Sequence, residues 1–199
     1  MTADPETLAC YARRAQEYAD TISRAGPDAD LLTFMDALPA TGAPVLDWGC
    51  GPGNSAAMMM ARGITVEATD ASPEMAEIAT GLGVEVLVEP FEELAPIPKY
   101  RGIWANFSLL HVTPERMPDM IDLAARALMR GGVLHLGLKR GSGTARDPIG
   151  RFFSYWEPAD LDAMTRGSGL EPFATRLGEG SGLDGRIEPF VIHLSRKPD

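Results

Sequence analysis

The sequence predicts an α/β fold, a mostly parallel sheet with helices on both faces. Three observations predict it. Strand-like and helix-like segments alternate along residues 43–138, and such a chain buries its strands best as a parallel sheet covered by crossover helices. The strand-like segments include short continuous apolar runs, as expected of strands covered on both sides. The first run stops at three alternating glycines, Gly49-Cys50-Gly51-Pro52-Gly53, where the backbone can turn tightly and a ligand can approach without a Cβ in the way.

The elements follow in order. Within residues 6–24, Leu8, Tyr11, Ala12, Ala15, Tyr18, Ala19 and Ile22 recur at helical spacing and predict one amphipathic helix. A second helix follows Pro27-Asp28 and closes at Pro39 and Gly42. Residues 43–48 are the first strand, and a short helix follows over 55–62. The second strand covers 65–69 and ends at Asp70; Ser72 then caps a helix whose first position is Pro73, where a missing N–H costs nothing. Residues 84–88 and 102–106 are the third and fourth strands. A helix over 118–129 is closed by Gly131-Gly132, and 133–138 is the fifth strand. After a helix over 157–166, residues 172–177 and 187–195 form an antiparallel hairpin around a glycine-rich turn. No linker, repeat or low-complexity segment intervenes. The 199 residues therefore read as one domain, with 1–40 as a helical lid and 41–199 as the core.

Composition narrows the function. Hydrophobic residues make up 45% and charged residues 23%, and the net charge is −10. That charge disfavours a phosphate backbone or an anionic membrane surface as partner. No apolar run has the length of a membrane span, and the N-terminus has no secretory signal. Two cysteines, Cys10 and Cys50, make no disulfide framework and suit a cytoplasmic protein. His111, His135 and His193 lie far apart, without metal-ligand spacing, so no metal is expected.

Two acids mark the ligand. Asp47 stands two residues before the first glycine. Asp70 ends the next strand, 17 residues after Gly53, near the spacing expected of an acid that holds a ribose. Amides at the following helix N-terminus point into the same space. Gly51-x-Gly53-x-x-Ala56 also fits a loose dinucleotide fingerprint, but Asp47 would face a pyrophosphate, which is repulsive. The same carboxylate suits an ammonium. A ligand with a ribose at one end and an amino acid at the other is S-adenosylmethionine.

These segments resemble the class I methyltransferases, the seven-stranded S-adenosylmethionine-binding superfamily, over roughly Tyr11 to Lys197. The run from Val45 to Gly53 is similar to the superfamily's first motif, and Val66 to Met75 to its second. Ile103 to Val112 resembles the fourth-strand motif, and Leu128 to Leu134 the turn into strand five. Tyr11-x-x-x-Ala15-x-x-Tyr18 resembles the entry helix of small-molecule members. The resemblance implies a Rossmann-like sheet of order 3-2-1-4-5-7-6 with strand 7 antiparallel. It further implies a cofactor held by Tyr18, Asp47, Gly49, Cys50, Gly51, Gly53, Asp70, Ala71, Met75, Phe91, Glu92, Asn106 and Leu109. The segment after strand three lacks the frequent acid directly before Phe91, which leaves adenine's amino group to the backbone near Phe91 or to Glu92. No Asn-Pro-Pro-Tyr type motif follows strand four, which disfavours a nucleobase acceptor. Residues 104–156 are most similar to small bacterial tellurite-resistance-like or small-molecule methyltransferases.

Methyl transfer is an in-line displacement governed by alignment and exclusion of water, so no catalytic triad is required. His111, in the loop after strand four, is the best candidate for a general base, its alternative being a loop residue bonded to backbone. Tyr11, Lys139 and Arg151, with His111, are the candidate acceptor contacts; the two cations follow strand five and suit an anionic acceptor. Cys50 reads as a small packing residue, His135 and His193 as satisfied core residues, Trp48 and Trp104 as strand packing, and Met58, Met59 and Met60 as helix surface. Two other readings stay open: a protein that senses S-adenosylmethionine or its product without catalysis, and a nicotinamide-dependent reductase.

Overall fold

A computed structural model describes residues 4–199; the first three residues of the expected lid lie outside the described residues. The chain begins with helices α1 (Pro5–Arg13), α2 (Ala15–Ile22) and α3 (Ala29–Ala37). Alternation then starts: β1 (Val45–Trp48), α4 (Asn54–Met60), β2 (Val66–Asp70), α5 (Pro73–Gly81), β3 (Val86–Val88), β4 (Tyr100–Asn106), α6 (Met117–Ala127) and β5 (Leu128–Lys139). A small hairpin of β6 (Thr144–Arg146) and β7 (Phe152–Ser154) precedes α7 (Pro158–Gly167), β8 (Glu171–Ser181) and β9 (Ile187–Arg196).

Seven strands form one sheet in the order β3-β2-β1-β4-β5-β9-β8. The first five are parallel, and β9 runs antiparallel to both its neighbours. This is the expected 3-2-1-4-5-7-6 order, with the β6–β7 hairpin standing apart as a separate two-stranded sheet. The central strands are covered on both faces. One side carries α6 and α7 packed around Leu46, Ile103, Leu134 and Leu136. The other carries α3, whose Leu31 and Phe34 meet Val45, Trp104 and Val133.

Several boundaries differ from expectation for identifiable reasons. The first helix is broken at Arg14 (φ −122°) into α1 and α2. Positions seven apart on a straight helix are about 10.5 Å apart along its axis; the break instead lets the Tyr11 and Tyr18 rings meet edge-on, with centroids 5.2 Å apart. Gly131 and Gly132 do not follow a helix end. They sit within β5, where Gly131 takes φ +72° and the pairing with β4 is irregular. The β6–β7 hairpin was not expected, because three-residue polar strands such as Thr144–Arg146 carry no periodic signal. Met59 is fully buried in the core beneath α3, not part of a helix surface. His135 and His193 are fully buried, but each is only half satisfied: Nε2 bonds Asn106 or Thr165, and Nδ1 has no hydrogen-bond partner.

Candidate active site

The carboxyl ends of β1, β2, β4 and β5 open into a cavity of about 430 Å³, the position expected for ligands in an open parallel sheet. Helices α1 and α2 supply Thr7, Tyr11 and Tyr18 to its wall, and the start of β9 supplies Glu188 and Phe190. Among the described residues, Asp47 and Asp70 stand at one end without a cation bonded to either, and Lys139 and Arg151 stand at the other, each paired with an acid.

The acidic end is built on the glycine loop. Gly49, Gly51 and Gly53 all have positive φ, at 77°, 54° and 81°. A Cβ at Gly49 would come within 2.5 Å of the Ser108 Cβ, so the loop packs directly on the turn after β4. Ser108 Oγ donates to the Trp48 carbonyl at 2.7 Å and holds that contact. Asp70 braces the loop from the next strand: its Oδ2 accepts from the Gly51 N–H at 2.8 Å and its Oδ1 from the Ser72 N–H at 2.9 Å. Each oxygen keeps a second acceptor position, enough for two vicinal hydroxyls. Tyr18 lies over the loop, 3.7 Å from where a Gly51 Cβ would stand.

Asp47 is the anomaly here. It is 2% exposed, and its Oδ2 has no hydrogen-bond partner. Burial pushes its carboxyl up to about 7, against a bond from the Ala56 backbone, and the nearby Asp70 charge adds to the rise. Burial likewise raises Asp70, opposed by the Ser72 and Gly51 amides. A buried carboxylate oxygen without a donor is costly. A ligand ammonium would supply the missing donor and charge and a ribose would match the Asp70 pair, so these residues are compatible with S-adenosylmethionine. Phe91, edge-on to Trp48 at 5.3 Å, and Ala71 and Met75 add an apolar wall beside Asp70. Cys50 also lines the loop; burial and the two acids push its thiol well up, so it is no thiolate nucleophile.

The cationic end is a network of side chains far apart in sequence. His111 Nδ1 lies 2.6 Å from the Phe152 carbonyl, which can only accept, so Nδ1 carries the proton. Nε2 then accepts from the Tyr11 hydroxyl at 3.0 Å. That hydroxyl in turn accepts from Arg151 Nη1 at 3.2 Å. Arg151 is anchored by Asp147 at 2.8 Å. Burial, with the Arg151 and Lys139 charges, lowers His111 to about 4. The ring is therefore neutral at ordinary pH, and its basic nitrogen is capped by a phenol. That geometry weighs against His111 as a general base. Lys139 pairs with Glu188, and its Nζ lies 3.5 Å from the Phe153 ring centroid.

Of the candidate residues, Tyr11, Tyr18, Asp47, Gly49, Cys50, Gly51, Asp70, Ala71, Met75, Phe91, Asn106, His111, Lys139 and Arg151 all line this one cavity. Gly53, Glu92 and Leu109 do not. Gly53 packs on α5, where a Cβ would lie 2.7 Å from Ala79 Cβ. Leu109 is wholly buried in the core, and Glu92 sits in the short turn Phe91–Glu93 off the cavity wall. Sequence reasoning missed Phe107, Phe153 and Glu188; Trp104, assigned to packing, borders the cavity but is buried in the core, its ring stacked on His135 with centroids 3.6 Å apart. Phe107 carried no signal in the sequence, yet it holds φ 54°, uncommon for a side-chain-bearing residue. Its N–H bonds the Gly137 carbonyl at 2.8 Å and its ring meets Phe190. Among the described residues no group of three or more His, Cys, Asp or Glu could hold a metal ion, and no helix is long and apolar enough to cross a membrane.

Residues 45–132 match a family model described as a methyltransferase domain. Trans-aconitate 2-methyltransferase of Mycobacterium sp. strain KMS is 31% identical over 134 residues, which cover 66% of this chain and 47% of that protein. The chain thus spans about half the length of that relative. Burkholderia thailandensis 1,6-didemethyltoxoflavin-N1-methyltransferase, solved with S-adenosylhomocysteine, has the same fold: TM-score 0.71 at 21% identity, covering 100% of this chain and 92% of that one. A TehB-like S-adenosylmethionine-dependent methyltransferase from Corynebacterium glutamicum aligns with TM-score 0.66 at 19% identity, covering 98% and 100%.

Proposed function

From the match of residues 45–132 to a methyltransferase domain and the seven-stranded fold around it, we propose that this chain transfers a methyl group from S-adenosylmethionine to a small-molecule acceptor. The observation that carries the reading is the pair of buried acids: Asp47 with an unsatisfied oxygen, and Asp70 with two braced ones, side by side at the glycine loop. In this reading Asp47 receives the donor's ammonium and Asp70 its ribose hydroxyls. Ala71, Met75 and Phe91 flank the adenine, and Tyr18 closes over the amino-acid end. Gly53 shapes the loop from behind without touching the ligand, and Leu109 supports it from the core. S-adenosylmethionine, when bound, supplies a methyl group on a positively charged sulfur.

The chain's own residues have three tasks. The loop amides and the two acids orient the donor. Helices α1 and α2 roof the cavity and exclude water. Here α1 is tied to the β6–β7 hairpin by Arg146 to Asp4 at 2.8 Å and by the Phe152 N–H to Thr7 Oγ1 at 2.8 Å. The cationic end positions the acceptor. His111 has a positioning role, since it is neutral and holds Tyr11 in place. An acidic chain with two free thiols suits a cytoplasmic enzyme of small molecules rather than of nucleic acid.

Calorimetry with S-adenosylhomocysteine and with NAD(P) tests the reading. Tight binding of the first and none of the second is expected, and the reverse removes it. Turnover to S-adenosylhomocysteine with an acceptor present separates an enzyme from a sensor that only binds.

A further inference from the structure

A buried histidine stands beside the cavity wall without a part in the site described above. His135 on β5 is 0% exposed, and its ring lies stacked on Trp104. Burial holds it well below the ordinary histidine range, so the ring is neutral, with one N–H and one lone pair. Nε2 lies 3.0 Å from Asn106 Oδ1, and Nδ1 has no partner. A proton on Nδ1 would be an orphaned buried N–H, the rarer defect, so Nε2 carries it and donates to Oδ1. Gly137 gives the carboxamide its room, since a Cβ there would overlap Oδ1. With Oδ1 turned to His135, the Asn106 Nδ2 has no hydrogen-bond partner among the described residues. Asn106 is half-buried on the cavity wall, so its two N–H donors are left to a ligand.

The sheet sets these donors beside Asp47. Asp47 pairs in register with Trp104, so Asp47, Trp104 and Asn106 share one face of the sheet. Asn106 stands on the neighbouring strand two residues further toward the cavity, about 7 Å along its length. We propose that His135 is a positioning residue: it turns the Asn106 carboxamide so that Nδ2 receives the carboxylate of S-adenosylmethionine, beside the ammonium at Asp47. The proposal rests on the methyl-transfer reading and assigns a charged group which that reading leaves unheld. A neutral amide suits the place, because a cation there would itself pair with Asp47 and displace the ligand's ammonium. The two cations of the cavity are committed elsewhere, Lys139 to Glu188 and Arg151 to Asp147. Without the bond from His135 the carboxamide can turn over and present its oxygen, which repels a carboxylate.

The test is calorimetry on the full chain with S-adenosylhomocysteine and with its decarboxylated analogue, which keeps the adenosine, the sulfur and the amine. The wild type is expected to prefer S-adenosylhomocysteine by about tenfold or more. Asn106→Asp keeps the shape and the bond from His135 but turns an oxygen to the ligand, so the preference should vanish or invert. His135→Leu fills the space without a donor and should cut the preference to about threefold. His135→Gln can still donate at the same place and should restore it to within about twofold of wild type. If His135→Leu melts early, His135→Asn, whose shorter amide falls short of Oδ1, replaces it with the same expectation. A purely structural histidine would weaken both ligands alike and leave the preference unmoved. A wild type without preference, or a preference unchanged in Asn106→Asp or in His135→Leu, overturns this assignment while the methyl-transfer reading stands. Failure of the wild type to bind S-adenosylhomocysteine at all overturns that reading, and this assignment with it.

Discussion

The two ends of the cavity are made of different material. At the glycine-loop end, backbone does most of the work: three glycines at positive φ, and amides of Gly51 and Ser72 that clamp Asp70. Those groups come from two adjacent parallel strands and the loops that follow them. At the arginine end, side chains do the work. Tyr11 meets His111 across 100 positions and Arg151 across 140. The first end leaves an acid unsatisfied, and the second pairs each cation with an acid. A backbone cradle can hold one invariant ligand rigidly, whereas a side-chain network can be altered one residue at a time. That division suits a fixed donor beside a variable acceptor.

The contrast can be broken or sharpened by substitution. The largest effect should come from Gly53→Ala, which places a side chain at φ +81° and 2.7 Å from Ala79. It should cost about 3 kcal/mol of stability, read as a drop in melting temperature, and weaken donor binding while any folded fraction keeps its arginine end. Asp70→Ala comes next. It removes the brace on two amides and should weaken S-adenosylhomocysteine by about 30-fold in calorimetry, or about 2 kcal/mol. Unchanged affinity would remove the ribose assignment.

Asp47→Asn should act mainly through pH. The free protein's carboxyl titrates at about 7 against an ordinary 3.8, so the folded chain holds a proton that the unfolded chain releases between those values. Stability of the free protein therefore falls as pH rises through that window, and an ammonium ligand must displace the proton. Affinity for S-adenosylhomocysteine should climb about tenfold per pH unit toward about pH 7 and level off above it. In Asp47→Asn the slope should vanish, affinity above neutrality should drop about tenfold, and the ligand-free protein should melt a few degrees higher. A retained slope would place the titration elsewhere. The smallest effect is assigned to His111→Ala: turnover lowered about threefold to tenfold, with kcat at saturating donor level from about pH 6 to about pH 8 in wild type and variant alike, because the wild-type ring titrates near 4. A loss of a hundredfold or more, with a wild-type limb near neutrality that the variant lacks, would restore the ring as a base.

The same contrast explains what was legible beforehand. Val45 to Gly53 and Val66 to Asp70 declare themselves because strand, acid and turn are contiguous, and contiguity is what a sequence displays. Alternation predicted a parallel sheet and the terminal hairpin its antiparallel end, while the strand order came from the resemblance to the class I methyltransferases. His111, Lys139 and Arg151 could be suspected by residue type, but not the bond from Tyr11 that caps the histidine, since that depends on a helix break at Arg14 and on where α1 docks. Phe107 and Phe153 gave no signal: an apolar residue in a loop or a three-residue strand looks like any other. Gly53 and Leu109 sat inside true motifs yet face away from the cavity, because a motif also contains the residues that pack behind it.

The β6–β7 hairpin carries one further implication. Its two strands pair only with each other, outside the seven-stranded ladder, yet it and the turn within it deliver Asp147, Arg151 and Phe153. Changes in this inset leave no main-sheet register to repair. A segment of about a dozen residues can therefore be exchanged without disturbing the glycine loop, provided the bonds of Phe152 to Thr7 and His111 are kept.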